Sequence, residues 1–505
     1  MPMSNPSDDG LAGFGYKQEL ERTLGNFHTF AAGISYISIL TGTFQLFYFG
    51  FSFGGPAYWW SWPMVFVGQL MVALSFAELA AHYPVAGSIY NWSKRLGSQH
   101  VAWLAGWMML TASIVSIAAV ALAYQITLPQ ISSFFSFSGD SAVNAVILGA
   151  GLIVFTTLVN AWGVKLMARI NSAGVFIELV AAVLLIVALA VNITRGPEVV
   201  MQTNNTGADQ PWGYFGAFLV ASLASTYVMY GFDTASSLGE ESHDPRKNAP
   251  KAILRALIAS FVIGGLILLL ALMAVGDIND PQIATGGLQF IVLDVFGSTV
   301  GTIFLLAVVV AITVCNLAVQ SASIRMMFAM GRDNNLPAGK HLARVSPKTK
   351  TPVVPAIVSG VIAVLILVVN VGQPQIFTVI TSIGIIMIYL AYLLVTVPML
   401  VKRFRGQWPP PKVEGTKYFS LGKLGLPVNI IGVLWGGAIV VNLAWPRREV
   451  YNATKPYHWY LEWGAVLFVG AVAVVGFAYY WFVLRHKSGV LADHAAEAHP
   501  EEAAQ

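Results

Sequence analysis

About a dozen stretches of some twenty apolar residues, joined by polar links, confine this chain to one class of fold. A hydrocarbon core roughly 30 Å thick is crossed by about 20 residues of helix. Lipid offers no partner to an unpaired backbone group, so each stretch has to cross as an α-helix. The predicted spans are 27–53, 57–81, 101–127, 141–162, 170–193, 212–238, 251–275, 298–329, 353–371, 375–400, 427–445 and 460–484. A make-up of 56% hydrophobic against 10% charged residues excludes a soluble domain. The expected fold is therefore an all-α polytopic membrane protein of 12 transmembrane helices.

Of the 28 Lys and Arg, all but Arg195, Arg447, Arg448 and Lys455 fall on the side of the predicted bundle that holds the N-terminus. The positive-inside rule then puts both termini in the cytoplasm of a cell whose plasma membrane the chain spans. The same partition accounts for the net charge of +4, with no nucleic-acid partner implied. The polar first 20 or so residues and the tail LADHAAEAHPEEAAQ are expected to stay unstructured.

Two spans are interrupted. The first carries SILTGTF, residues 38–44, and the sixth carries YGFDTASSLGEE, residues 230–241. Helix interiors disfavour glycine, and backbone left without partners survives at membrane depth only where it lines a protected cavity, as in a carrier's mid-membrane site. The first helix is expected to restart after Thr41-Gly42-Thr43, and the sixth to unwind at Tyr230-Gly231-Phe232. Because each break opens a group of five spans, residues 27–193 and 212–400 read as two inverted five-helix repeats. Residues 1–26 precede them, helices 11 and 12 occupy 427–484, and 485–505 form a cytoplasmic tail.

Four stretches carry a family resemblance: YKQELERTLGNFHTFAAGISYISILTGTF at 16–44, FAELAAHYPVAGSIYNWSKRLG at 76–97, YGFDTASSLGEESHDPRKNAPKAI at 230–253 and SIRMMFAMGRDNNLP at 323–337. With these the chain resembles the permeases of the amino acid-polyamine-organocation superfamily, most of all their amino acid/choline transporter branch. The resemblance implies a LeuT-like 5+5 inverted repeat with discontinuous helices 1 and 6 plus two extra helices. It also implies alternating access in the lipid bilayer, with an amino acid or amine as substrate. Coupling would be to a proton, sodium being less expected, or transport would run as exchange. In such permeases the glycine break of helix 1 holds the substrate carboxylate, and SILTGTF matches it with Thr on both sides of the glycine. Several relatives place a lysine where this chain has Glu178, so the charge is reversed here. The stretch around Glu78 corresponds to an inner gate.

The residues themselves allow these roles and plainer ones. A helix restarting near Ser38, Thr41, Gly42 and Thr43 points N–H groups and a positive dipole end at an anion; a glycine packing notch is the alternative. At the second break, Tyr230, Gly231, Phe232 and Asp233 suit an amine, while Asp233 alternatively takes a coupling proton or caps the second half-helix. Glu178 is a coupling candidate or a partner of Arg169 or Arg325. Glu78 is expected to pair with Arg325 or Arg332 and close the inner side. Glu240, Glu241, Arg246 and Lys247 read as a solvated charge run. Asn316, Thr381 and Ser382 are further substrate-binding candidates that equally serve as helix bridges, and Cys315 reads as core. The sequence has no GKS or GKT phosphate loop, HExxH or Cys/His cluster, so no catalytic residue, metal or cofactor is expected. The expected activity is secondary transport of a small amino acid or related amine. Choline, a polyamine or γ-aminobutyrate is the alternative cargo, and a transport-inactive amine sensor the alternative class.

Overall fold

The computed structural model describes residues 11, 15–20, 22, 24–208, 210, 212–369, 371, 376–410, 418–452, 455 and 457–495. Among the described residues ten helices are long and apolar enough to cross a membrane, and two shorter apolar ones, Tyr214–Val228 and Val353–Val369, fill the sixth and ninth places. The first span is α1 (Asn26–Ile37) with α2 (Ile39–Gly54), and the second is α3 (Ser61–His82). After α4 (Ser88–Leu96), which lies on the basic face, come α5 (Gln99–Ala121) with α6 (Ala123–Ile131), α7 (Ser141–Trp162) and α8 (Val164–Val191). The sixth span is α9 (Tyr214–Val228) followed by one turn, α10 (Thr234–Ser237). Then follow α11 (Pro245–Ala274), α12 (Pro281–Arg332), α13 (Val353–Val369), α14 (Ile376–Phe404), α15 (Gly425–Ala444) and α16 (Gly464–Tyr479). The bundle is the LeuT-like arrangement, with helices 1 and 6 discontinuous.

Local chemistry starts these helices where the polar links end. Asp140 accepts the N–H groups of Ala142 and Val143 at the head of α7, and Asp280 that of Gln282 at the head of α12. Within α12, Gly287 and Gly297 take φ of 64° and 72°, which breaks the helix twice before its long straight part. That part corresponds to the predicted span 298–329. Burial sorts the helices by position: 94% of the first span's most apolar window is buried, against 17% for the twelfth. The breaks therefore sit at the bundle's centre. The lipid-facing side of α8 instead exposes Phe176, Val180, Val183, Leu184 and Val187.

Candidate functional site

The first interruption is a single residue, Ser38, with φ 39° and ψ 93°. This corrects the expected restart after Thr41-Gly42-Thr43: the Gly42 N–H already donates to Ser38 O (3.0 Å) and Thr43 Oγ1 to Ile39 O (2.6 Å), so α2 is under way there. Gly42 marks instead the close approach of α9, since a Cβ on it would lie 2.5 Å from Val228 Cγ2. At the break, Ser38 Oγ and Leu40 N both donate to Glu178 Oε1, at 3.1 Å each, and Thr41 Oγ1 lies 2.6 Å from Ser38 Oγ. The other oxygen, Glu178 Oε2, is buried and accepts nothing. Glu178 thus pairs with neither Arg169, which is exposed, nor Arg325, which is engaged elsewhere. It lies halfway along α8, 14 residues past Val164 and so about 21 Å of helix from the basic end.

The second interruption lies where the sequence puts it, with Met229 to Asp233 separating α9 from α10. Gly231 has φ +83°, and a Cβ there would overlap the Tyr36 ring of α1, so the two breaks touch. Two neighbours satisfy two of the freed backbone groups: Gln69 Nε2 donates to Met229 O at 2.7 Å, and Gly231 N–H donates to Tyr392 Oη at 2.9 Å. Tyr392 in turn donates to Asp233 Oδ1 at 2.6 Å. Asp233 occupies the N-cap position of α10, yet its side chain accepts none of that helix's N–H groups. The capping role is thereby corrected, because the carboxylate turns across to α14. Aromatic rings cluster at the break and around Tyr392: Tyr36 against Tyr230 (6.1 Å between centroids), Tyr227 against Tyr230 (5.8 Å), and Phe76 and Phe232 against Tyr392 (4.8 and 5.6 Å). Among the described residues, no Lys, Arg or His pairs with Asp233 or Glu178.

The remaining candidates disperse. Asn316 bridges three helices, accepting from Thr156 Oγ1 (3.1 Å) and donating to Ile117 O (2.7 Å). Ser382 accepts from Tyr451 Oη at 3.3 Å, ten residues before the Tyr392 that meets Asp233. The side chain of Thr381 lies outside the described residues. Tyr392 and Gln69 were missed by sequence reasoning. Gln69 was visible as a lone amide inside VFVGQLMVAL, whereas Tyr392 in IYLAYLLV carries no mark beyond its hydroxyl.

The basic face is shut by buried ion pairs that differ from the expected ones. Arg325 grips Glu241 (3.0 and 3.1 Å), and Arg332 grips Glu240 (2.7 and 3.1 Å). Glu78 pairs instead with Arg403 of α14 and accepts from Trp408 Nε1 (2.9 Å) and Leu421 N (3.0 Å). Glu240 and Glu241 are therefore no solvated run: the chain after α10 turns under the bundle as a 3-10 helix, Gly239–Glu241, and drives both carboxylates onto α12. Of the ends expected to stay unstructured, residues 15–20 and 491–495 pack on this face, and most of the rest lies outside the described residues. Tyr16 donates to Asp333 (2.9 and 3.0 Å) under the Arg332 guanidinium, 3.6 Å from its ring, while Leu491 N donates to Arg332 O (2.8 Å). Next to Gly42 and Thr43 a void of ≈ 10 Å³ remains between α2, α3, α9 and α11, room for about one water.

Residues 24–473 match the amino acid permease family model. The chain belongs to the amino acid permease family. It is similar to the amino-acid permease BAT1 of Arabidopsis thaliana, 27% identical with 96% of each chain covered. It is also similar to the BAT1 homolog of rice, Oryza sativa subsp. japonica, at 29% over 88% of each. The branched-chain amino acid permease BcaP of Bacillus subtilis is 28% identical over 71% of this chain and 77% of its own. This permease is a membrane transporter of amino acids and no enzyme, and its interrupted helices 1 and 6 are the parts that meet at its centre.

Proposed function

We propose that this permease moves a small zwitterionic amino acid, or a closely related amine, across the plasma membrane by alternating access, with both termini in the cytoplasm and with proton coupling or exchange. One observation carries the reading: two broken helices meet in mid-membrane beside two buried carboxylates, Asp233 and Glu178, that no described cation neutralises. A carboxylate at that depth costs at least about 2.5 kcal/mol on insertion scales, and a transported amine or proton is the partner that offsets it. The substrate's ammonium is assigned to Asp233 and the unwound Tyr230-Gly231-Phe232 backbone, within the Tyr36, Tyr230 and Phe232 rings. Its carboxylate is assigned to the start of α2, at Ser38, Leu40 and Thr41. The coupling proton is assigned to Glu178, and Glu78, Arg325 and their partners form the gate on the cytoplasmic side. Two bundles of helices rock around this centre while helices 11 and 12 brace it.

A second reading has a specific observation behind it. Glu178 already occupies an N–H of α2, which favours a cation without a carboxylate, such as choline or a polyamine. Purified protein screened by thermal shift against amino acids, γ-aminobutyrate, choline and polyamines, then assayed in proteoliposomes, tests both. Saturable uptake of an amino acid, responding to a pH gradient, is expected. A carrier of choline or polyamine alone would replace the first reading with the second, and binding without flux would replace transport with sensing. In Asp233→Asn, uptake should fall at least tenfold for amine-bearing substrates while the Tyr392 hydrogen bond is kept. Unchanged uptake would remove Asp233 from the site.

A further inference from the structure

The contact between Glu178 and the start of α2 has the form of a bound ligand that happens to be tethered. Three N–H groups at the start of α2, those of Ile39, Leu40 and Thr41, have no acceptor within their own helix, and they form its positive dipole end. Glu178 delivers a carboxylate to that end from a different helix, 138 residues away, through Leu40 N and Ser38 Oγ at 3.1 Å each. Only one of its oxygens is used. Oε2 is buried without a partner in a residue that is 1% exposed, which is a costly arrangement for a permanent structural bond.

We infer that Glu178 is a built-in stand-in for the substrate's carboxylate, which caps α2 while the site is empty and yields its place, as the neutral acid, when the substrate's carboxylate arrives. The inference rests on the reading of this site as an amino acid site. Two ionised carboxylates cannot share one helix start, because each raises the cost of the other's charge. Binding of a carboxylate substrate therefore draws one proton from the outer solution onto Glu178, most simply at Oε2. Departure of the substrate to the inside lets that proton leave as Glu178 returns to Leu40. A cation lacking a carboxylate leaves Glu178 in place and carries no proton.

The surroundings permit this proton to be Glu178's own. Of the helices packed against α8, α7 has no titratable side chain and α11 none past Arg255. From α1 come His28, which bonds Ser172 Oγ at 2.6 Å, and Tyr36, and from α2 comes Tyr48. From α12, Cys315 Sγ lies 3.6 Å from Tyr36 O and Arg325 is tied to Glu241. No cation competes with the proton at Glu178 among the described residues.

The test compares, on the full-length protein, the amino acid giving the largest thermal shift with the amine left when its carboxylate is removed. Proton uptake is read by calorimetry in buffers of different ionisation enthalpy. The amino acid should take up close to one proton and lose up to about tenfold in affinity per pH unit rise. The amine should do neither. Glu178→Gln, which keeps an acceptor for Leu40, should bind the amino acid with no proton uptake and a flat pH profile. Equal proton uptake for both ligands, or an undiminished pH dependence in Glu178→Gln, overturns the inference even if transport is confirmed. A second arm needs no substrate. Sodium acetate should raise the Tm of Glu178→Ala, whose helix start is vacated, and leave wild type and Glu178→Gln unchanged. No selective rise overturns the inference. Failure of every amino acid and amine to bind or move counts against the transporter reading, and the acetate arm still reports on the helix start itself.

Discussion

Gly231 shows how little freedom a residue at the centre of this site has. Its φ of +83° lies in the left-handed region, and the Tyr36 ring occupies the place of the Cβ it lacks. Gly231→Ala meets both obstacles, a strained backbone costing roughly 1–3 kcal/mol and an overlap that moves Tyr36. The variant is expected to denature several degrees lower and to lose most uptake. Wild-type uptake together with a wild-type melting temperature would show that the second break is not held as described. Tyr392 is as constrained from the other side, accepting from Gly231 and donating to Asp233. Removing its hydroxyl in Tyr392→Phe leaves one buried N–H and one carboxylate oxygen without that partner, at about 1–3 kcal/mol apiece. The expected result is a lower melting temperature and a raised KM for amine-bearing substrates. Tyr392 was not legible in the sequence, because its two partners lie 159 and 161 residues away and nothing local encodes that meeting. Asp233 was legible because a carboxylate inside an apolar run is conspicuous wherever it points.

At the scale of elements, the spans were readable and one break was displaced. Twenty apolar residues between polar links leave little choice, and α12 even keeps the predicted start after Gly297. The sequence pattern points to a first break four residues late, because glycine marks both a broken helix and a close helix contact. Gly42 is the second kind. What opens the helix is Ser38, a residue with no special conformational habit, held at positive φ by Glu178 and Thr41. The two effects separate in a pair of variants. Ser38→Ala and Ser38→Gly both lose the hydroxyl, but glycine relieves a left-handed strain worth about 1–2 kcal/mol. Ser38→Gly should therefore be the more stable of the two by thermal denaturation, and the reverse order would mean that Ser38 is not strained. Gly42→Leu should be destabilised by about 1–3 kcal/mol or more through overpacking against Val228. Its residual binding should discriminate amino acid from amine as wild type does. A selective loss of carboxylate recognition would place Gly42 in direct contact with the substrate instead.

Over the whole molecule, the closed basic face is built from groups that the sequence scatters, and which acid meets which arginine is a product of the fold. Glu240 and Arg332 stand 92 residues apart, yet their pairing, with Tyr16 stacked on the guanidinium and Leu491 bonded to the Arg332 carbonyl, ties both termini to α12. Burial, opposed by Arg332 and reinforced by Asp333, pushes the Tyr16 phenol far above its usual range, so it remains a donor at any physiological pH. These contacts exist only while this face is shut, and breaking one buried pair by removing a single partner costs the closed state about 3–5 kcal/mol. An opening toward the basic face would not incur that cost. Glu240→Gln should therefore shift the population toward forms open on this face, by tenfold for each 1.4 kcal/mol lost. Cys315 can report it, being the chain's only cysteine, 3% exposed, with Sγ 3.6 Å from Tyr36 O where the two breaks meet. In proteoliposomes of known orientation, a membrane-impermeant thiol reagent on the basic side should label Cys315 at least tenfold faster in Glu240→Gln than in wild type. A reagent on the opposite side should label it more slowly. Faster labelling from both sides would mean general loosening of the bundle, and unchanged rates would mean that the Glu240–Arg332 pair does not hold the gate.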